Sequence, residues 1–163
     1  MKPNQAIRGK AMRGAAALAA GLTFLAAGAA QAAPWKAEQT QTGVQYRIGN
    51  EIRNSFVIHC PNPATVSAGT WIDMTLFGER LPRRQTIQID VGASIFRLDV
   101  DESGRIGTAS EKADKAFELF WAALREGSRM TVRYPNGLAG TFTLRGTTQS
   151  MPARACQTDF DRL

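Results

Sequence analysis

The sequence predicts a mainly β fold: an antiparallel β-sandwich or partly open barrel of about seven to eight strands, with one amphipathic helix and one disulfide. Apolar residues alternate with polar ones in short runs over most of the chain, and turn residues recur about every ten positions, the pattern of an all-β domain. A single late stretch changes to helical spacing. The only two cysteines, Cys60 and Cys156, bracket nearly everything between.

The first residues are read as a leader. Lys2, Arg8, Lys10 and Arg13 make a basic head without an acid, and Ala15 to Ala30 is a nearly unbroken apolar run. It ends in Ala30-Gln31-Ala32, a small-x-small cleavage pattern, so residues 1–32 are expected to be a signal peptide cut before Ala33. The run is too short and too rich in Ala and Gly for a retained spanning helix, and no lipobox cysteine sits at the junction. The product expected is a single domain of residues 33–163 in the periplasm or secreted beyond it, with no integral membrane segment. Removing the four leader charges takes the formal +6 to +2, so the basic balance is no argument for nucleic acid.

Residues 33–42 show no periodicity and read as a loose lead-in. Val44, Tyr46 and Ile48 alternate with polar neighbours as a half-buried strand. Asn54 to Cys60 forms the next, with Phe56, Ile58 and Cys60 on one face and Val57 and His59 on the other. Pro61-Asn62-Pro63 stops it. Thr70 to Phe77 follows, with Ile72, Met74 and Leu76 opposed to Trp71, Asp73, Thr75 and Phe77. Residues 78–84 are a connection. Ile87, Ile89 and Val91 alternate, as do Phe96, Leu98 and Val100, and residues 105–107 suggest a short return.

Thr108-Ala109-Ser110-Glu111 fits a capping box. Ala113, Ala116, Phe117, Phe120, Trp121 and Leu124 then make one helical stripe, giving a helix over about 108–126 that Gly127 ends in a left-handed conformation. Met130, Val132 and Tyr134 return to strand spacing. Pro135-Asn136-Gly137 turns the chain into a strand at 141–144, and residues 147–155 are a loop or short helical turn before Cys156.

Two cysteines in an exported chain point to one internal disulfide, Cys60–Cys156, against the alternatives of two free thiols or an intermolecular bond. Catalytic chemistry has little to stand on. His59 is the only histidine, too few for a zinc site without further ligands and unaccompanied by a Gly-x-Ser-x-Gly elbow. Asp99 and Asp101 share a strand face and read as solvated charge rather than a glycosidase pair. Gly104-Arg105-Ile106-Gly107 lacks the Lys-Ser/Thr of a phosphate loop. No cofactor and no metal are expected, and the chain reads as non-enzymatic. The most suggestive surface residues are Arg80, Arg83 and Arg84 beside a proline, with Trp71 as an aromatic anchor, the composition of an interface hot spot. Ordinary solubility charge is the alternative.

The order of parts resembles the secreted invasion-associated locus B proteins and related small periplasmic β-sandwich proteins. The likeness covers about the last sixty residues. It rests on the helix running into Gly127-Ser128-Arg129-Met130-Thr131-Val132 and on Phe142-Thr143-Leu144-Arg145-Gly146 before a closing cysteine. The chain departs in having fewer cysteines and in the polar Thr147-Thr148-Gln149. The resemblance implies an envelope or virulence-associated component without a catalytic constellation. Size, export and lack of such a constellation favour a binding protein whose partner is another protein, as for an immunity protein or inhibitor of an envelope-acting toxin or hydrolase. Oligomeric state does not follow from the sequence.

Overall fold

A computed structural model describes residues 35–50 and 53–162. The expected signal peptide, residues 1–32, lies outside the described residues. The folded part carries two open antiparallel sheets. One is a meander of β1 (Lys36–Thr40), β2 (Gly43–Asn50), β3 (Asn54–Pro61), β4 (Trp71–Leu76) and β5 (Glu79–Arg80), with β8 (Ile106–Gly107) also paired to β4. The other has the order β10-β9-β6-β7, from β6 (Thr86–Val91), β7 (Ser94–Asp99), β9 (Arg129–Arg133) and β10 (Ala139–Thr143). The long helix α1 (Glu111–Glu126) joins the two, and a single turn, α2 (Thr147–Ser150), follows β10. The expected mainly β, disulfide-closed, open sandwich is what is found. Its ten strands exceed the seven or eight expected because β5 and β8 are two-residue bridges and β1 was read as a lead-in.

Phe56 is the hub of the core. Fully buried on the inner face of β3, it meets Trp35, the α1 ring of Phe120 and the β10 ring of Phe142 edge-on, at centroid distances of 6.0, 6.0 and 6.3 Å. Each such buried ring contributes about 1.5–3 kcal/mol by removal from water. Gly140 of β10 faces Leu76 of β4 closely, and an added Cβ there would stand 2.5 Å from Leu76 Cδ2. The α1 stripe buries Phe117, Phe120, Trp121 and Leu124, as its spacing predicts.

Three local readings are corrected. Residues 36–40 are not loose: they pair with β2, from Lys36 opposite Arg47 to Thr40 opposite Gly43, and Trp35 is buried beside Phe56. The helix starts at Glu111, not 108, because Ser110 Oγ is the cap, accepting from the Ala113 amide at 3.2 Å. Thr108 instead donates to the Thr70 carbonyl at 2.9 Å and accepts from the Asp159 amide. Gly127 is extended, at φ −75° and ψ 157°, not left-handed. A glycine suits it for space: a Cβ there would lie 2.7 Å from Val91 and 2.9 Å from Leu144 side-chain carbons.

Cys60 and Cys156 are joined, with their Cα atoms 5.6 Å apart across 96 positions of sequence. The bond ties the end of β3 to a C-terminal segment that buried polar contacts also hold. Thr70 Oγ1 donates to the Gln157 carbonyl at 2.8 Å, Thr158 Oγ1 donates to Asp114 Oδ1 at 2.7 Å, and Trp121 Nε1 donates to the Pro152 carbonyl at 3.0 Å. Asp114 is thus a buried acid on the helix with a designated partner.

Candidate binding site: an arginine-lined groove on the outer sheet

Alternation along β3 and β4 sends Phe56, Ile58, Ile72, Met74 and Leu76 inward. It leaves Ser55, Val57 and His59 facing out opposite Thr75, Asp73 and Trp71. These cross-strand pairs build the site. Ser55 Oγ and Thr75 Oγ1 are hydrogen-bonded at 2.7 Å. The His59 imidazole stacks on the Trp71 ring at 4.5 Å and 8°, and its Nε2 lies 3.0 Å from Asp73 Oδ2. Trp71 Nε1 donates to the same Asp73 oxygen at 3.1 Å, and the Arg105 guanidinium sits 4.9 Å over the Trp71 ring. Burial pushes the Asp73 carboxyl up. The hydrogen bonds from His59 and Trp71, with the charges of His59 and Arg105, outweigh that and hold it below its ordinary value.

Beside this cluster the edge of β4 is covered unevenly. On the edge away from β3, β5 pairs with Thr75 and Leu76 and β8 with Trp71 and Ile72, and no strand among the described residues covers Asp73 and Met74. The gap opens into a groove of about 340 Å³, lined by Ser55, Asp73, Thr75, Arg80, Arg83, Ser103 and Arg105 among others. Among the described residues no carboxylate or carbonyl is bonded to the Arg80 or Arg83 guanidinium, and Asp73 is the one acid in the lining. Its far wall is the turn at 101–105. There the Asp101 carboxylate accepts from Ser103 N, Ser103 Oγ and Arg105 N at 2.7–2.9 Å, which fixes where Arg105 starts. Burial raises the Asp101 carboxyl slightly, and these hydrogen bonds bring it below its ordinary value.

The β4–β5 hairpin that carries Arg80 has an unusual tip. Phe77 is 57% exposed and holds a left-handed backbone at φ 52°, followed by Gly78 at φ 88°. A two-residue hairpin turn of this kind suits Asn-Gly, and a bulky residue there is strained. Its amide donates to Asn54 Oδ1 at 2.8 Å, and the Gly78 amide to the Arg53 carbonyl at 2.9 Å, so neighbouring contacts impose the conformation.

A family model named YfjT matches residues 33–151. The chain belongs to the YfjT family. The matched segment holds all ten strands, both helices and the whole arginine groove, and stops short of Cys156. The match does not reach the invasion-associated locus B proteins. No curated protein and no solved structure matches the chain.

In this YfjT-family chain the residues picked from sequence are distributed as follows. Arg80 and Arg83 line the groove, and Trp71 stands next to it, linked through Asp73 and Arg105. Arg84 turns away, its Nη2 2.7 Å from Glu102 Oε1 with both side chains largely exposed. Asp99 accepts from Thr86 Oγ1 at 2.6 Å and Asp101 from the 103–105 turn, so the two carboxylates are engaged separately, although both lie in the wall of one cavity. Arg105 was missed. The sequence places it in a short return strand and in a failed phosphate-loop pattern, and nothing in its neighbours signals that the 101–105 turn delivers it to Trp71. The His59–Asp73 pair was missed for the same reason: it depends on strand register. Of hydroxyl and thiol groups among the described residues, none is bonded to His59. Among the described residues, no three of His, Cys, Asp and Glu converge as a metal site.

Proposed function

We propose that this protein is a non-enzymatic binding protein of the periplasm, an immunity or inhibitor protein that occludes an envelope-acting toxin or hydrolase. The observation that carries the reading is the groove lined by Arg80, Arg83 and Arg105 with a single acid, Asp73. Guanidinium forks suit carboxylates of an acidic loop on a protein partner, each by paired, charge-assisted hydrogen bonds. The stacked Trp71 and the exposed Phe77 supply flat apolar area beside those charges, the mixture that dominates interface energetics. The disulfide supports an oxidising compartment.

A second reading, an envelope-maintenance or virulence-associated secreted protein without one tight partner, has the invasion-associated locus B resemblance in its favour. One experiment separates the two. Immobilised protein is exposed to periplasmic extract beside the Arg80→Glu/Arg83→Glu variant. Retention of one stoichiometric protein by the parent and its loss with the variant supports the inhibitor. Equal recovery by both removes the groove as the binding site, and recovery of no stoichiometric partner favours the second reading.

A further inference from the structure

A different face of the molecule is organised around β7. The sheet order β10-β9-β6-β7 leaves β7 at an edge. Its rungs can be assigned from the ladder. Val100 donates to the Gln85 carbonyl at 2.9 Å, so residues of that parity, 94, 96 and 98, turn their backbone groups to β6. Ile95, Arg97 and Asp99 turn theirs away from the sheet, and no backbone partner among the described residues meets them there. The strand runs six residues without proline or glycine to break it, and the charges it carries are Arg97 and Asp99.

Along that edge lies a second cavity, of about 400 Å³. Its wall includes Arg97, Leu98, Asp99, Val100 and Asp101 in succession, residues of both parities, so the cavity follows the strand edge instead of one face. The opposite wall is α1, through Ala113, Ala116, Phe117 and Phe120, and Phe96 meets Phe120 edge-on at 5.1 Å where the walls join. The charges at the rim are unbalanced. Asp99 and Asp101 are bonded to Thr86 and to the 103–105 turn, whereas the Arg97 and Lys112 side chains have no bonded partner among the described residues. Two exposed large hydrophobics, Ile95 at 64% and Leu119 at 67%, lie on the same two elements, β7 and α1, outside the cavity lining.

We propose that the β7–α1 groove binds an extended peptide segment of a partner protein by strand addition. The segment pairs with Ile95, Arg97 and Asp99, places alternate apolar side chains in the cavity, and presents acidic residues to Arg97 and Lys112. A strand edge beside an apolar helix is the geometry by which backbone pairing gives affinity and alternate pockets give specificity. This site stands independently of the arginine groove.

The probe is the synthetic peptide Glu-Ile-Glu-Val-Glu-Ile-Glu, titrated into the oxidised protein and followed by amide hydrogen exchange and NMR. The amides of Ile95, Arg97 and Asp99 are expected to exchange at least about tenfold more slowly when bound, because each is then protected by a ladder bond. The Phe117 and Phe120 ring resonances should shift with them. A peptide N-methylated at alternate residues, which cannot pair, should lose binding without any change to the protein. Arg97→Pro, which removes one outward donor at an edge where proline is tolerated, should weaken binding by about tenfold or more. Saturating peptide that leaves all three amides unprotected overturns the proposal. So does dodecanoate shifting the two phenylalanines while the peptide does not, which would make the cavity an acyl-chain site. Protection that grows with protein concentration alone would make β7 a self-pairing edge, and also overturns it.

Discussion

Removing the disulfide tests how the domain is held together. Cys60→Ala/Cys156→Ala opens a loop of 96 positions in the unfolded chain. Loop-closure entropy for that length amounts to about 4.7 kcal/mol at 25 °C. The native side of the balance changes little, because the C-terminal segment keeps its contacts from Thr70 to Gln157, Thr158 to Asp114 and Trp121 to Pro152. The effect therefore arises in the unfolded state. For a domain of about 130 residues it corresponds to a drop in Tm of roughly 15 °C. Urea unfolding of the oxidised parent, the reduced parent and the double variant, each in a Trp35→Phe/Trp71→Phe background, gives the free energies, with the remaining tryptophan, Trp121, reporting by fluorescence. The account expects folded variants with parent-like emission and a loss of about 3–5 kcal/mol. A loss under about 1 kcal/mol would refute the entropic argument, and a Trp121 signal already solvent-exposed before unfolding would show that the segment depends on the sulfur bond alone.

Three further outcomes are expected. Phe77→Asn should raise stability by about 1 kcal/mol, since asparagine tolerates the left-handed turn and an exposed ring has little packing to lose; thermal unfolding reads the gain, and partner capture should fall. Gly140→Ala should cost about 1–3 kcal/mol in urea unfolding, because the new methyl meets the fully buried Leu76 side chain. Asp73→Asn tests the linkage at the site. The Asp73 carboxyl lies below its ordinary 3.8 in the folded protein, so its stabilising contribution is complete above that value and lost as pH falls through the folded one. The stability gap between parent and variant should be level above about pH 5 and close below about pH 4.

Much of the fold was legible because side-chain period is a local property. Phe96, Leu98 and Val100 mark their strand without help from any neighbour, and the spacing of Phe117, Phe120, Trp121 and Leu124 marks the helix. The helix start was misplaced because both Thr108 and Ser110 can cap, and the choice fell to a tertiary bond, Thr108 to the Thr70 carbonyl. β1 escaped because its burial pattern is almost wholly exposed, and only pairing with β2 makes it a strand. At the groove, Arg80 and Arg83 stood out as a local cluster in sequence. Arg105, His59 and Asp73 did not, since their meeting depends on which strands are neighbours and in what register. Composition shows which groups exist, and register decides which of them meet.

The most direct test of the binding account is calorimetric titration of the captured partner against the parent, the Arg80→Glu/Arg83→Glu protein and an Arg84→Glu control. Breaking hydrogen-bonded charge pairs in the groove should weaken affinity by about 30-fold or more, while Arg84→Glu, which alters only the exposed pair with Glu102, should leave it within about twofold. Equal affinities for all three, or equal losses in both variants, would contradict the assignment of the arginine groove as the binding site.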